Sequence, residues 1–296
     1  MKSLQERITL GTVQFGLDYG INNRTGKISF LEIEKILSYC FSNHINILDT
    51  AAAYGNSESL IGKVTETNGF NFKVVSKLPN CKVSEVHDII IRSLQELKVD
   101  SMYGYLMHDF EMLVQNPQIW SILEGFRKEG KIQKIGFSVY KPEDIHWLLD
   151  HKISFDLIQL PYNIFDRRFE SLFPILKTLQ VEIHTRSVFL QGLFFMDPNS
   201  LSTHFKSVKN KLGEFRKLLT EYDIPIYAAL LNFVFLNPYI DQIVIGVDSL
   251  SNLVENMNAD HYLKTCEDLY LKLNTFIEHD EKILLPMNWK NDDLVS

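Results

Sequence analysis

The chain has 296 residues, of which 45% are hydrophobic and 23% charged, an ordinary globular balance with enough material for one large domain or two average ones. A net charge of −7 and the lack of any run of five Lys/Arg exclude a chain built as a whole to hold nucleic acid or an anionic membrane surface. No apolar stretch approaches the ~20 residues of a membrane-spanning helix, the charged start MKSLQER lacks the apolar core of a secretion signal, and Cys40, Cys81 and Cys266 lie far apart. The expectation is a reduced, cytoplasmic protein with structural cysteines.

The first apolar run is ITLGT, residues 8–12. After it, Ser29-x-x-Glu32 reads as a capping box for a helix with Ile33, Ile36, Leu37, Cys40 and Phe41 on one face. Then come INILDT (45–50) and FKVVSK (72–77), followed by a helix that Ser84 can cap, with Val86, Ile89, Ile90, Leu94 and Leu97 inward. MYGYLMH (102–108) precedes a helix opened by Asn116-Pro117 and closed by Gly130. IQKIGFS (132–138) leads to a short helix opened by Pro142, and FDLIQLPYN (155–163), VEIHTRS (181–187) and QIVIGV (242–247) complete the runs. Two further helices are expected around 211–222 and 226–236.

Eight apolar runs, each followed by an amphipathic segment, predict an α/β fold, a single-domain (β/α)8 TIM barrel over 1–296. An open doubly wound sheet is the competing architecture. It wants a Gly-rich dinucleotide fingerprint after the first strand, and Gly11 to Gly16 lacks that spacing. One interval is irregular: the long loop at about 188–210, after the seventh strand, is a candidate lid or cofactor clamp.

Barrel strands deliver their C-terminal ends to one mouth. Three successive ends carry Asp49, Lys77 and His108, and Tyr54 follows Asp49 in its loop. Singly, each has an ordinary explanation: a capping carboxylate, a lysine reaching solvent, a structural histidine, a packed aromatic. Together they place an acid, an ammonium, an imidazole and a phenol in one pocket.

These residues resemble the aldo-keto reductases. ILDTAAAYGNSE is similar to the family's D-T-A-x-x-Y-G-x-S-E signature; VVSKL carries the third-strand lysine and YLMHDF the fourth-strand histidine. GTVQFG, IGFS, IQLPYN, RSVFLQGLF and IGVDSLSNLVEN resemble the remaining segments, so the likeness spans about residues 8 to 256. It implies nicotinamide-dependent reduction of an aldehyde or ketone, with Asp49, Tyr54, Lys77 and His108 as the catalytic group. Tyr54 is then the general acid, its phenol lowered by Lys77; Asp49 holds Lys77, and His108 orients the substrate oxygen. The three alanines after Thr50 are expected to leave clearance for the ligands.

The resemblance also implies cofactor contacts by Thr12, Val13, Asp49, Ser138, Gln159, Arg186, Ser187, Phe189, Gly192, Ser249, Asn252, Glu255 and Asn256. Two departures stand out. Val139 occupies a position where the family often has asparagine. Arg186 replaces an aromatic that stacks on the nicotinamide, which puts a cation beside a ring that is positive when oxidised. NADPH is the family default. From Gln242 to Asn256, however, no Lys or Arg is present to hold a 2′-phosphate, so NADH competes.

Tyr19, Tyr54 and His108 are the expected substrate contacts, with Asp18, Asn22, Asn23 and Arg24 in the same loop as Tyr19 pointing to a polar, sugar-like carbonyl. The alternatives are a barrel aldolase or lyase using Lys77 as a Schiff base, and a nicotinamide-binding partner or sensor that does not turn over. No H-E-x-x-H or similarly close ligand spacing points to a metal.

Overall fold

Eight parallel strands close into a barrel in sequence order, with helices between them on the outside. The computed structural model describes residues 3–20 and 26–289. The strands are β1 Ile8–Gly11, β2 Ile47–Asp49, β3 Lys73–Leu78, β4 Met102–Met107, β5 Ile132–Ser138, β6 Leu157–Pro161, β7 Glu182–Arg186 and β8 Gln242–Gly246. Ring closure is made by β1 against β8, with Gly11 opposite Gly246. The open sheet is thereby excluded. Thr12, Thr50 and His108 fall just past the strands because the chain is already turning into the mouth loops there.

The principal helices are α1 Phe30–Ser42, α2 Ser57–Asn68, α3 Val86–Leu97, α4 Gln118–Lys128, α5 Pro142–Asp150, α6 Phe173–Thr178, α7 Lys209–Glu221, α8 Ile226–Phe235 and α9 Leu250–Met257. Ser29 caps α1 by accepting from Glu32 N–H, but the capping box is not closed. The Glu32 carboxylate instead accepts from Leu250 N–H at 2.8 Å, tying the start of α1 to that of α9. Ser84 is not a cap: it sits inside a 3-10 turn, Val83–Glu85, and Glu85 accepts from Lys82 N–H at its head. α4 begins after Pro117, and Asn116 contributes its carbonyl to Ile119 N–H.

The 188–210 segment is not a structureless loop. It holds three 3-10 turns, Leu190–Phe195, Pro198–Ser200 and Thr203–Val208. Its far half is wall, since Phe205 and Val208 are fully buried and Phe205 packs edge-on against Trp289 at 5.0 Å. Only its near half reaches the barrel mouth.

Side-chain alternation sorts the barrel's inside into layers. Ile47, Val75, Leu106 and Leu157 form a small apolar cluster separate from the main core. Two residues further along the same four segments stand Asp49, Lys77, His108 and Gln159. The residues that the sequence brings to one mouth are therefore the next inward-facing positions above an apolar plug. Among the described residues no single helix is long and apolar enough to cross a membrane.

Candidate active site

The loop after β2 is set by close backbone approach. A Cβ on Gly16 would meet the Tyr54 carbonyl oxygen at 1.7 Å, and Gly55 follows with φ 57°, a left-handed conformation that glycine adopts freely. Ser57 links the ends of β1 and β2: its hydroxyl donates to Thr12 O at 3.0 Å and lies 3.1 Å from Thr50 Oγ1. Tyr54 is thus delivered by a loop pinned at both strands. Ala51 is buried in this turn and its carbonyl accepts from Tyr54 N–H. None of the three alanines lines the cavity, so they shape the turn and do not provide clearance.

Lys77 is 1% exposed and two of its three ammonium hydrogens go to buried acceptors, Asp49 Oδ1 at 2.7 Å and Thr50 O at 2.8 Å. The other Asp49 oxygen accepts from Gln159 Nε2 at 2.7 Å. Tyr54 and His108 meet edge to face, ring centroids 5.9 Å apart, and Lys77 Nζ lies 5.3 Å from the Tyr54 ring centroid. The structure therefore brings all four residues together.

Above them opens a cavity of about 350 Å³. Of the residues expected at the site, Thr12, Val13, Tyr19, Asp49, Tyr54, His108, Ser138, Gln159, Arg186, Ser187, Phe189, Gly192, Asn252, Glu255 and Asn256 line it. Lys77 does not; it stands behind Asp49. Ser249 does not either: its hydroxyl accepts from Asn252 N–H at 3.2 Å as the cap of α9. Asn22, Asn23 and Arg24 lie outside the described residues.

The lining also includes Gln14, Tyr140, Gln191, Tyr227 and Asp248, which sequence reasoning did not select as site residues. Tyr140 immediately follows the Val139 departure, the one local sign of it. Gln191 donates to Tyr19 Oη at 3.0 Å, joining the first mouth loop to the near half of the 188–210 segment. That near half is bent by left-handed residues, Ser187, Leu190, Gln191 and Gly192, at φ 62°, 45°, 51° and 96°. For the non-glycine members such a conformation costs roughly 1–2 kcal/mol each, consistent with a loop held in shape by its surroundings.

Electrostatics separates the groups. Burial, then the positive charges of Lys77 and Arg186, push the His108 imidazole down to about 4, so it is neutral near pH 7. Burial, then the charge of Asp49, push the Tyr54 phenol well above its ordinary value, and Arg186 is the cation that opposes this. The expected lowering of Tyr54 by Lys77 is opposed first by burial and then by the charge of Asp49 beside the ammonium.

Arg186 is held flat. Its guanidinium carbon lies 3.9 Å from the Tyr140 ring centroid, Nη2 donates to Val139 O at 3.0 Å and Nη1 to Ser187 Oγ at 3.3 Å. The two departures at 139 and 186 are thus one contact. Among the described residues no group of three or more His, Cys, Asp or Glu is placed to hold a metal ion.

A closed eight-stranded parallel barrel whose mouth gathers a buried Lys–Asp pair, a tyrosine and a histidine defines a class, and sequence comparison agrees. The chain belongs to the aldo/keto reductase family, whose model matches residues 7–269, and it is an oxidoreductase of that family. Members of the family typically use NADH or NADPH. Over 272 residues, 83% of this chain and 87% of the relative, it is 22% identical to the uncharacterized oxidoreductase YqkF of Bacillus subtilis (strain 168). Over 136 residues, 41% of this chain and 40% of the relative, it is 29% identical to D-arabinose 1-dehydrogenase of Saccharomyces cerevisiae. The holo form of aldo-keto reductase AKR11C1 from Bacillus halodurans superposes with a TM-score of 0.72 over 93% of this chain and 94% of that one, at 19% identity, a likeness of fold.

Proposed function

We propose that this protein reduces the carbonyl of a polar, sugar-like aldehyde or ketone at the expense of NADPH or NADH, with Tyr54 as proton donor. The observation that carries this reading is the meeting of Tyr54 and His108 edge to face on a cavity that Asp49 also lines, with Lys77 paired to Asp49 behind it.

The cavity suits a nicotinamide cofactor. Several of its lining polar atoms are buried without a protein partner: Gln14 Oε1, Arg186 Nε and Asp248 Oδ1. Ser138 and Gln159 are available at the reacting end, Ser187, Phe189 and Gly192 along the near half of the 188–210 segment, and Asn252, Glu255 and Asn256 on α9. The cofactor supplies a hydride. Everything else is done by side chains of the chain.

Tyr54, raised by burial, keeps its proton near neutrality and so holds it ready for an oxygen that becomes strongly basic as hydride arrives. His108 is neutral, so one ring nitrogen carries a hydrogen that can be donated to the same oxygen and fix the carbonyl's orientation. Asp49 keeps the buried ammonium of Lys77 neutralised and in place. The near half of the 188–210 segment, bound to Tyr19 through Gln191, acts as the clamp over the cofactor.

A sugar-like substrate is supported by the polar rim that Tyr19, Tyr140 and Gln191 present, and by the partial likeness to an enzyme named for D-arabinose. The aldolase reading loses support, because Lys77 is enclosed and tied to two acceptors instead of being offered to the cavity. Cofactor choice has a specific second reading. The end of the cavity formed by Asp248, Asn252, Glu255 and Asn256 offers two carboxylates and no cation, which favours NADH over NADPH.

Titration of the purified protein with both reduced cofactors, then a panel of aldoses and simple aldehydes, tests the proposal. Saturable cofactor binding and carbonyl-dependent cofactor oxidation are expected. Binding without turnover on any carbonyl would favour the sensor reading, and no binding at all would end the nicotinamide reading.

A further inference from the structure

Among the described residues, the reacting end of the cavity carries one positive charge that no carboxylate balances. Asp49 and Lys77 sum to zero, joined at 2.7 Å. His108 is neutral near pH 7, and Tyr19 and Tyr54 are both pushed above the ordinary phenol value, first by burial, so they carry no charge there. Arg186 remains. Its partners are a backbone carbonyl, a serine hydroxyl and an aromatic face, none of them acidic, and its Nε is buried without a partner. Among the described residues no carboxylate stands within ion-pair distance of its guanidinium. The other acids lining the cavity, Asp248 and Glu255, come from the loop and helix that follow β8.

Nor is this cation free to swing away. The Tyr140 ring at 3.9 Å and the Val139 carbonyl fix its plane, and it shares a cavity with Tyr54 and His108, the two groups placed nearest the chemistry. A nicotinamide ring is neutral when reduced and carries a unit positive charge when oxidised. A fixed, unpaired guanidinium in a partly enclosed site repels only the second form, and repulsion between unit charges there exceeds its value in water severalfold.

We propose that Arg186 makes this site discriminate between the redox states of its cofactor, binding the reduced form more tightly than the oxidised one. The inference rests on the nicotinamide reading above. Its consequence is an enzyme that sheds the oxidised cofactor readily and is poorly inhibited by it.

The test is equilibrium binding. The reduced cofactor is titrated by its own fluorescence and displaced by the oxidised form, with NADPH/NADP⁺ and NADH/NAD⁺ in parallel at fixed ionic strength. In the wild type the oxidised form should bind at least about tenfold more weakly, equivalent to about 1.4 kcal/mol. Arg186→Gln should bring the ratio near one, and Arg186→Lys, which keeps the charge, should preserve most of it. Equal binding of the two forms by the wild type, or an unchanged ratio in Arg186→Gln, overturns the inference while leaving the nicotinamide reading standing. If no form of either cofactor binds, that reading falls and the inference falls with it.

Discussion

The two ends of the barrel are built alike and used differently. At the C-terminal mouth, Asp49, Lys77 and Gln159 form a buried polar layer that opens on a cavity. At the opposite end, Tyr103 Oη donates to Glu182 Oε2 at 2.7 Å, Lys134 pairs with Glu182 and bonds Tyr103, and His184 Nε2 meets Glu182 Oε1 at 2.7 Å. Strands β3, β5 and β7 serve both layers: Lys73 and Lys77, Lys134 and Ser138, Glu182 and Arg186 lie four residues apart on the same inward face. The lower layer's buried charge is matched, since Glu182 pairs with Lys134 while Lys73 is exposed beside the Tyr103 ring, and its hydrogen bonds are closed apart from His184 Nδ1, which is what a buried network needs in order to stabilise. The upper layer leaves Arg186 unmatched and polar atoms unpartnered. That imbalance marks the end where a ligand is received.

Substitutions should break the comparison unequally. The largest effect is expected from Tyr54→Phe, which removes the proposed proton donor and should lower kcat about 10²- to 10⁴-fold, with cofactor affinity and melting temperature almost unchanged. Asp49→Asn leaves the Lys77 ammonium buried without a counter-charge; denaturant unfolding should show a loss of about 3 kcal/mol or more, together with lost turnover. Glu182→Gln, at the other end, should cost about 2 kcal/mol of stability and spare kcat at a temperature where the variant is folded.

Acid stability sharpens the contrast. Burial disfavours the Glu182 charge, but the hydrogen bonds from His184, Lys134 and Tyr103 outweigh it and hold its carboxyl well below the ordinary range. A carboxyl lowered in this way adds stability above its unfolded value of about 4.3 and surrenders it as pH falls through the folded value. The wild type should therefore lose stability below about pH 4 along a limb that Glu182→Gln flattens. His108 should behave in the opposite sense to a salt-bridged histidine. Its imidazole resonances should titrate near pH 4, and protonation between the unfolded value of about 6.5 and that point favours the unfolded chain. The smallest effect is expected from Tyr140→Leu, which frees the guanidinium of Arg186 and should reduce the reduced-to-oxidised binding preference only a few fold.

Much of this was legible in the sequence because it depends on local pattern. The apolar runs of β1 to β8, and the titratable residues just past three of them, can be read residue by residue. What escaped depends on partners far along the chain. Glu32 looks like half of a capping box until Leu250 N–H, 218 residues away, takes its carboxylate. Lys77 looks like a side chain offered to the mouth until the bonds of its ammonium to Asp49 and to Thr50 O, on the neighbouring strand and loop, are seen. Tyr140 carries no motif. Its importance comes from the Arg186 plane laid on it from a strand two places round the barrel.

The central claim is that a tyrosine in the mouth of this barrel gives its proton to a carbonyl oxygen while a nicotinamide cofactor is oxidised. The most direct measurement follows the absorbance of the reduced cofactor on mixing with an accepted carbonyl, for the wild type and Tyr54→Phe, each at cofactor concentrations shown by titration to be saturating. The account predicts steady oxidation by the wild type and almost none by a variant that binds cofactor equally well. Oxidation by Tyr54→Phe at the wild-type rate would contradict it.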